Sequence, residues 1–136
     1  MTESLLTGQC FCGAVRYRCG AFIYPPTVCH CESCRHVAGA HSVAWLTVRA
    51  DSLVYITGKP VEFNSSSRVF RSFCGDCGTP LTYRHEERVG EIDITMATLD
   101  RPTNVVPVDH VWMEDALPWD VPGDGLPQHS QSRGTG

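Results

Sequence analysis

The sequence predicts an all-β single domain, and three observations predict it. Short runs of alternating apolar and polar residues recur along the chain, turn-forming residues separate them, and only one stretch has helical character. The first run, Ala14-Val15-Arg16-Tyr17-Arg18-Cys19, has period two and sets Val15, Tyr17 and Cys19 on one face. A helix of one or two turns is expected over 32–38, ended by Gly39. Further strands are expected at 42–48, 53–57, 61–64, 68–73, 81–83, 91–96 and 108–112. From Pro118 onward, Pro122, Gly123, Gly125 and Pro127 interrupt the chain, and after Gln128 apolar residues give out. The expected organisation is a domain over 1–128 and a flexible C-terminal tail over 129–136.

Composition narrows the function classes. One domain of 136 residues is long enough to bury a real core. A net charge of −4, with Lys59 the single lysine, argues against nucleic acid as the main partner, because phosphate binding needs clustered cations. No run approaches the ~18 apolar residues of a membrane span. The first residues carry neither a basic region nor a long apolar one, so a secretion signal is not expected and a cytoplasmic location is. In that compartment the eight cysteines are expected to act as metal ligands or reactive thiols rather than as disulfides.

Seven of the eight fall into three tight groups. Cys74-Gly75-Asp76-Cys77-Gly78 has the two-residue spacer that lets both sulfurs reach one ion at ~2.3 Å, with a glycine to turn the backbone. Cys10-Phe11-Cys12 converges in the same way if the chain bends between Gly8 and Gly13. Together, Cys10, Cys12, Cys74 and Cys77 make a closed tetrahedral set, the pattern of a structural zinc. Iron in the same cage is chemically admissible. Disulfides fit less well, because a bridge across one intervening residue is strained.

The middle group, Cys29-His30-Cys31-Glu32-Ser33-Cys34, offers three thiolates and leaves a fourth position open, as in catalytic zinc sites. Zn²⁺ with three thiolates carries a formal charge of −1, so it activates water weakly. It is better suited to holding a soft sulfur ligand as thiolate. The alternative is closure of that position by His30, His36, His41 or Cys19, although Cys19 shares a face with Val15 and Tyr17 and suits a buried, inert thiol.

With its flanking residues, this spacing resembles the glutathione-dependent formaldehyde-activating enzyme family, also called CENP-V/GFA domains. The motifs are Gly8-x-Cys10-x-Cys12-Gly13-Ala14-Val15-Arg16-Tyr17, Cys29-His30-Cys31-x-x-Cys34-Arg35 and Phe73-Cys74-x-x-Cys77-Gly78-x-x-Leu81. Ala97-Thr98-Leu99-Asp100, Pro107-x-x-His110-Val111-Trp112 and Leu117-Pro118-Trp119 follow in order. The resemblance implies a β-tent fold and two zinc ions per chain. One, structural, would sit on Cys10, Cys12, Cys74 and Cys77; the other, catalytic, on Cys29, Cys31 and Cys34. It also implies a carbon–sulfur lyase that joins a small thiol such as glutathione to formaldehyde or a related aldehyde. The alternatives are a non-catalytic zinc-stabilised β scaffold and a lyase acting on another thiol adduct.

Four further residues invite a role. Trp45 could line a pocket beside the open zinc or sit in the core. His110, in an alternating strand, reads as a hydrogen-bonded structural histidine. Arg35 or His36 could bind a substrate carboxylate or simply be solvated. The expected partners are a small thiol and an aldehyde, with no membrane and no nucleic acid; a homo-oligomer is compatible with the sequence.

Overall fold

The computed structural model describes residues 5–133. In chain order it contains β1 (Leu6–Gln9), β2 (Arg16–Cys19), β3 (Phe22–Cys29), α1 (Glu32–Ala38), β4 (Val43–Arg49), β5 (Val54–Thr57), β6 (Val61–Ser66), β7 (Val69–Phe73), β8 (Pro80–His85), β9 (Glu91–Thr95) and β10 (Asp109–Val111). The strands form a three-stranded sheet, β1-β2-β5, and a seven-stranded sheet, β10-β3-β4-β9-β8-β7-β6. All pairings are antiparallel except β10 with β3. This is the all-β domain that the alternating runs predict.

Period-two alternation divides the large sheet into two working faces. On one face, Leu46 and Val48 of β4 and Ile92 and Ile94 of β9 are buried in the main core, together with Tyr17 and Cys19 of β2. On the other face, Trp45 and Thr47 of β4, Asp93 of β9, Tyr83 of β8 and Arg71 of β7 line a single cavity. The register places Thr47 opposite Asp93, Asp93 opposite Tyr83 and Tyr83 opposite Arg71. Cys29 and Thr27 join this face because they pair with Val43 and Trp45.

Two strands escape a reading by alternation. β1 is four residues long and contains Gly8, whose backbone lies so close to Tyr17 that an added Cβ would fall 2.3 Å from the phenolic oxygen. β3 contains Pro25 and Pro26, which argue against an interior strand because proline cannot donate to a ladder. The fold accommodates them with register shifts on either side of Tyr24. It also uses their carbonyls: Val108 N–H donates to Pro26 O at 3.0 Å.

The tail expected from residue 129 is held to the sheet over its described part, 129–133. His129 N–H donates to His110 O at 2.9 Å and Trp112 N–H to Gln131 O at 3.0 Å. The Arg133 guanidinium forks onto the buried carboxylate of Asp109 at 2.7 and 2.8 Å. Polar composition hides this anchoring, which rests on backbone bonds and on the approach of Arg133 and His129 to Asp109. Residues 134–136 lie outside the described residues.

Candidate metal centres and active-site cavity

The first cysteine group is built from two turns. Cys10 N–H bonds to Val15 O at 3.1 Å, and Gly78 N–H bonds to Cys74 O at 2.8 Å. Gly13 and Gly78 sit at φ 79° and 82°, a region that glycine enters without strain. Thr79 joins the turns: its Oγ1 accepts from Phe11 N–H at 3.0 Å and lies 3.2 Å from Cys77 Sγ. Cys10 and Cys12 sulfurs are 3.6 Å apart and Cys12 and Cys74 sulfurs 3.8 Å apart, and all four ligand atoms lie within 4.8 Å of one another. A tetrahedron with metal–sulfur bonds of ~2.3 Å has edges of about 3.8 Å, whereas a disulfide requires about 2.0 Å. The spacing fits a metal and excludes a bridge. The Thr79 hydroxyl beside it lowers the Cys77 thiol to about 5, which favours the thiolate that a metal needs.

The second group lies where β3 runs into α1. Cys29 ends the strand, and Cys31 caps the helix, its sulfur accepting the Cys34 N–H at 3.3 Å. α1 opens with Glu32, carries Arg35 and His36 in its last turn, and closes at Gly39 in the left-handed region. Cys34 is the residue it buries, against Cys29, Trp45 and Val111. The sulfurs of Cys29, Cys31 and Cys34 lie within 4.8 Å of one another. Among the described residues, no further histidine, cysteine or carboxylate completes that set.

Electrostatics also point to a cation there. The neighbouring Cys29 and Cys34 sulfurs hold the Cys31 thiol well below its ordinary value, while Cys31 and Cys34 push Cys29 far up. One thiolate therefore forms at the expense of its neighbours, since like charges this close cannot all ionise. A divalent cation relieves that conflict. The all-sulfur donor set fits zinc.

The residues considered for closing the fourth position are engaged elsewhere. His30 turns away: its Nε2 lies 2.9 Å from His110 Nδ1, and its Nδ1 lies 3.3 Å from Asp120 Oδ2. His110 continues the chain to Asp124 Oδ2 at 2.7 Å, and His41 Nδ1 reaches Asp120 Oδ2 at 3.1 Å. This histidine–carboxylate chain fixes the backbone between Cys29 and Cys31. His36 is exposed. Cys19 is sealed in the main core, where burial pushes its thiol up to about 11.

The three-cysteine cluster opens onto a cavity of about 790 Å³. Trp45 and Tyr83, with ring centroids 6.1 Å apart, form part of its wall, and Trp45 packs with Cys34 in one buried cluster. Trp112 lines it from a left-handed backbone, φ 59°, a conformation uncommon for a bulky residue. Arg35 and His36 do not line this cavity. Trp112 of the His110-Val111-Trp112 motif does, and so do Arg71, Tyr83 and Thr27, which belong to none of the motifs. One signal was available: Arg71 shares the apolar register of β7 with Val69 and Phe73, an unusual position for a charge.

Comparison with known proteins places this geometry in context. The family model described as glutathione-dependent formaldehyde-activating enzyme matches residues 5–115. The crystal structure of a Rhodobacter sphaeroides protein superimposes with a TM-score of 0.59 at 18% identity, covering 90% of this chain and 98% of that one. At that identity the likeness establishes the fold. No curated protein matches the chain.

Proposed function

The chain belongs to the glutathione-dependent formaldehyde-activating enzyme family, and from that premise we propose that it is a zinc-dependent carbon–sulfur lyase joining a small thiol to an aldehyde. Glutathione and formaldehyde are the pair that the family description suggests. The observation that carries the reading is the Cys29, Cys31 and Cys34 cluster, three sulfurs on the wall of a cavity with no fourth protein ligand among the described residues. In this reading Cys10, Cys12, Cys74 and Cys77 hold a structural zinc.

Zinc held by the three sulfurs would favour the thiolate form of an incoming thiol near neutral pH. The chain's own residues provide the rest. Cys29, Cys31 and Cys34 hold the centre, and the His30–His110 chain fixes the turn between the first two. Trp45, Tyr83 and Trp112 supply an aromatic wall beside the three sulfurs, in a cavity that solvent can enter. The sulfur forms a bond to the carbonyl carbon, the carbonyl π pair moves to oxygen, and that oxygen takes a proton from water to give the hemithioacetal. The reverse reaction uses the same groups.

The test is the visible spectrum of the cobalt-substituted protein during titration with glutathione. A saturable change in the sulfur charge-transfer and d–d bands is expected, absent in Cys31→Ser. An unchanged spectrum with two cobalt ions bound, or a normal response in Cys31→Ser, would refute the assignment and leave the β scaffold. Because thiols add to formaldehyde unaided, turnover must be measured against the uncatalysed rate.

A further inference from the structure

Three arginines line the cavity, and their surroundings differ. Arg88 is held by Asp93 at 2.9 Å and by Glu91 at 3.0 Å. Arg133 is held by Asp109. Arg71 is 6% exposed, and among the described residues no carboxylate lies within ion-pair distance of it. Its NH1 has no hydrogen-bond partner. Its guanidinium carbon sits 4.8 Å from the centroid of Tyr83, stacked on the ring that faces Trp45.

A guanidinium cannot shed its charge in a protein, and burying one without an anion is costly. The ring face offsets part of that cost. It does not use the planar fork of N–H donors, which matches a carboxylate. The fork lies in the same cavity as the three sulfurs, with an aromatic wall beside it.

We infer that Arg71 is the anion-recognition residue of this cavity, binding the carboxylate of a thiol whose sulfur occupies the Cys29, Cys31 and Cys34 centre. The inference rests on the lyase reading and deepens it, because it selects carboxylate-bearing thiols over neutral ones. It moves substrate recognition from α1, where the sequence offers Arg35 and His36, to β7.

The experiment compares 3-mercaptopropionate with its neutral isostere 3-mercaptopropionamide, titrated into the cobalt-substituted protein and followed by the cobalt bands. The parent protein is expected to bind the carboxylate about tenfold or more tightly than the amide, the size of one charge-assisted contact. Arg71→Gln is expected to lose that preference and to bind the amide within about twofold of the parent. Arg71→Lys keeps the charge without the fork and is expected to retain only part of the preference; it decides the matter should Arg71→Gln fail to fold or to hold cobalt. Equal affinities in the parent overturn the inference by themselves while leaving the lyase reading intact. A variant with shifted cobalt bands and an undiminished preference also overturns it, and leaves Arg71 as a counter-charge to the thiolates. Failure of both thiols to bind the parent removes the inference and the lyase reading together.

Discussion

Replacing Cys12 and Cys77 together by serine tests whether the four-cysteine cluster clips the fold. These are the two least buried of its ligands, so the buried sulfurs of Cys10 and Cys74 stay in place and the core is not hollowed. One ligand then remains on each turn, too few to hold a metal. The clip spans a sequence separation of 62 residues between Cys12 and Cys74. Releasing a cross-link over a loop of that length returns about 4 kcal/mol of chain entropy to the unfolded state. Domains of this size are stable by about 5–15 kcal/mol, so the loss is a large fraction of the total. With an unfolding entropy of roughly 2 cal/mol/K per residue, it corresponds to a fall in Tm of about 15 °C. Thermal unfolding by circular dichroism, in reducing buffer and with metal content measured alongside, gives the answer. A variant that has lost one metal yet melts within about 3 °C of the parent would refute the cross-link argument. Retention of two metals would refute the ligand assignment.

Two further outcomes follow from local geometry. Gly8→Ala places a Cβ 2.3 Å from Tyr17 Oη and 2.6 Å from Thr98 O, which displaces the Tyr17–Thr98 hydrogen bond of 2.7 Å. A loss of about 1–3 kcal/mol is expected in urea denaturation, and an unchanged midpoint would show that this approach is not tight. The Arg84 guanidinium, forked onto Glu62 at 2.9 Å, holds that carboxyl below its usual range. A depressed carboxyl stabilises the fold above its unfolded pKa, near 4.5, and loses that contribution as pH falls through the folded value. Glu62→Gln should therefore cost about 0.5 kcal/mol at pH 6, as expected for an exposed pair, and nothing once the parent's Glu62 is protonated. A difference between the two proteins that is constant from pH 6 to pH 3 would contradict this linkage.

How much of this protein was legible beforehand depends on the range of the interaction. Alternation is a local property, so the face of β2 and the all-β class could be read directly from residues such as Val15, Tyr17 and Cys19, whereas the faces of β4 waited for its partners. Ligand spacing is local too: Cys74-x-x-Cys77 and Cys29-x-Cys31-x-x-Cys34 fix which sulfurs can converge, whatever the rest of the chain does. β1 and β3 were hidden because a glycine and two prolines contradict strand propensity, and only neighbouring strands make those residues tolerable. The union of Cys10 and Cys12 with Cys74 and Cys77 rested on ligand count until the two turns met through Thr79. His30 lies between two cysteines in sequence, and only His110, brought from the far end of the chain, engages its ring away from them. Arg71 was just another strand residue until sheet register set it on the face that carries Cys29 and buried it with no carboxylate beside it among the described residues. Composition and spacing determined which chemistry the chain can hold. Tertiary structure decided which residues share a cavity with those sulfurs, because burial and charge pairing are properties of residues distant in sequence and close in space.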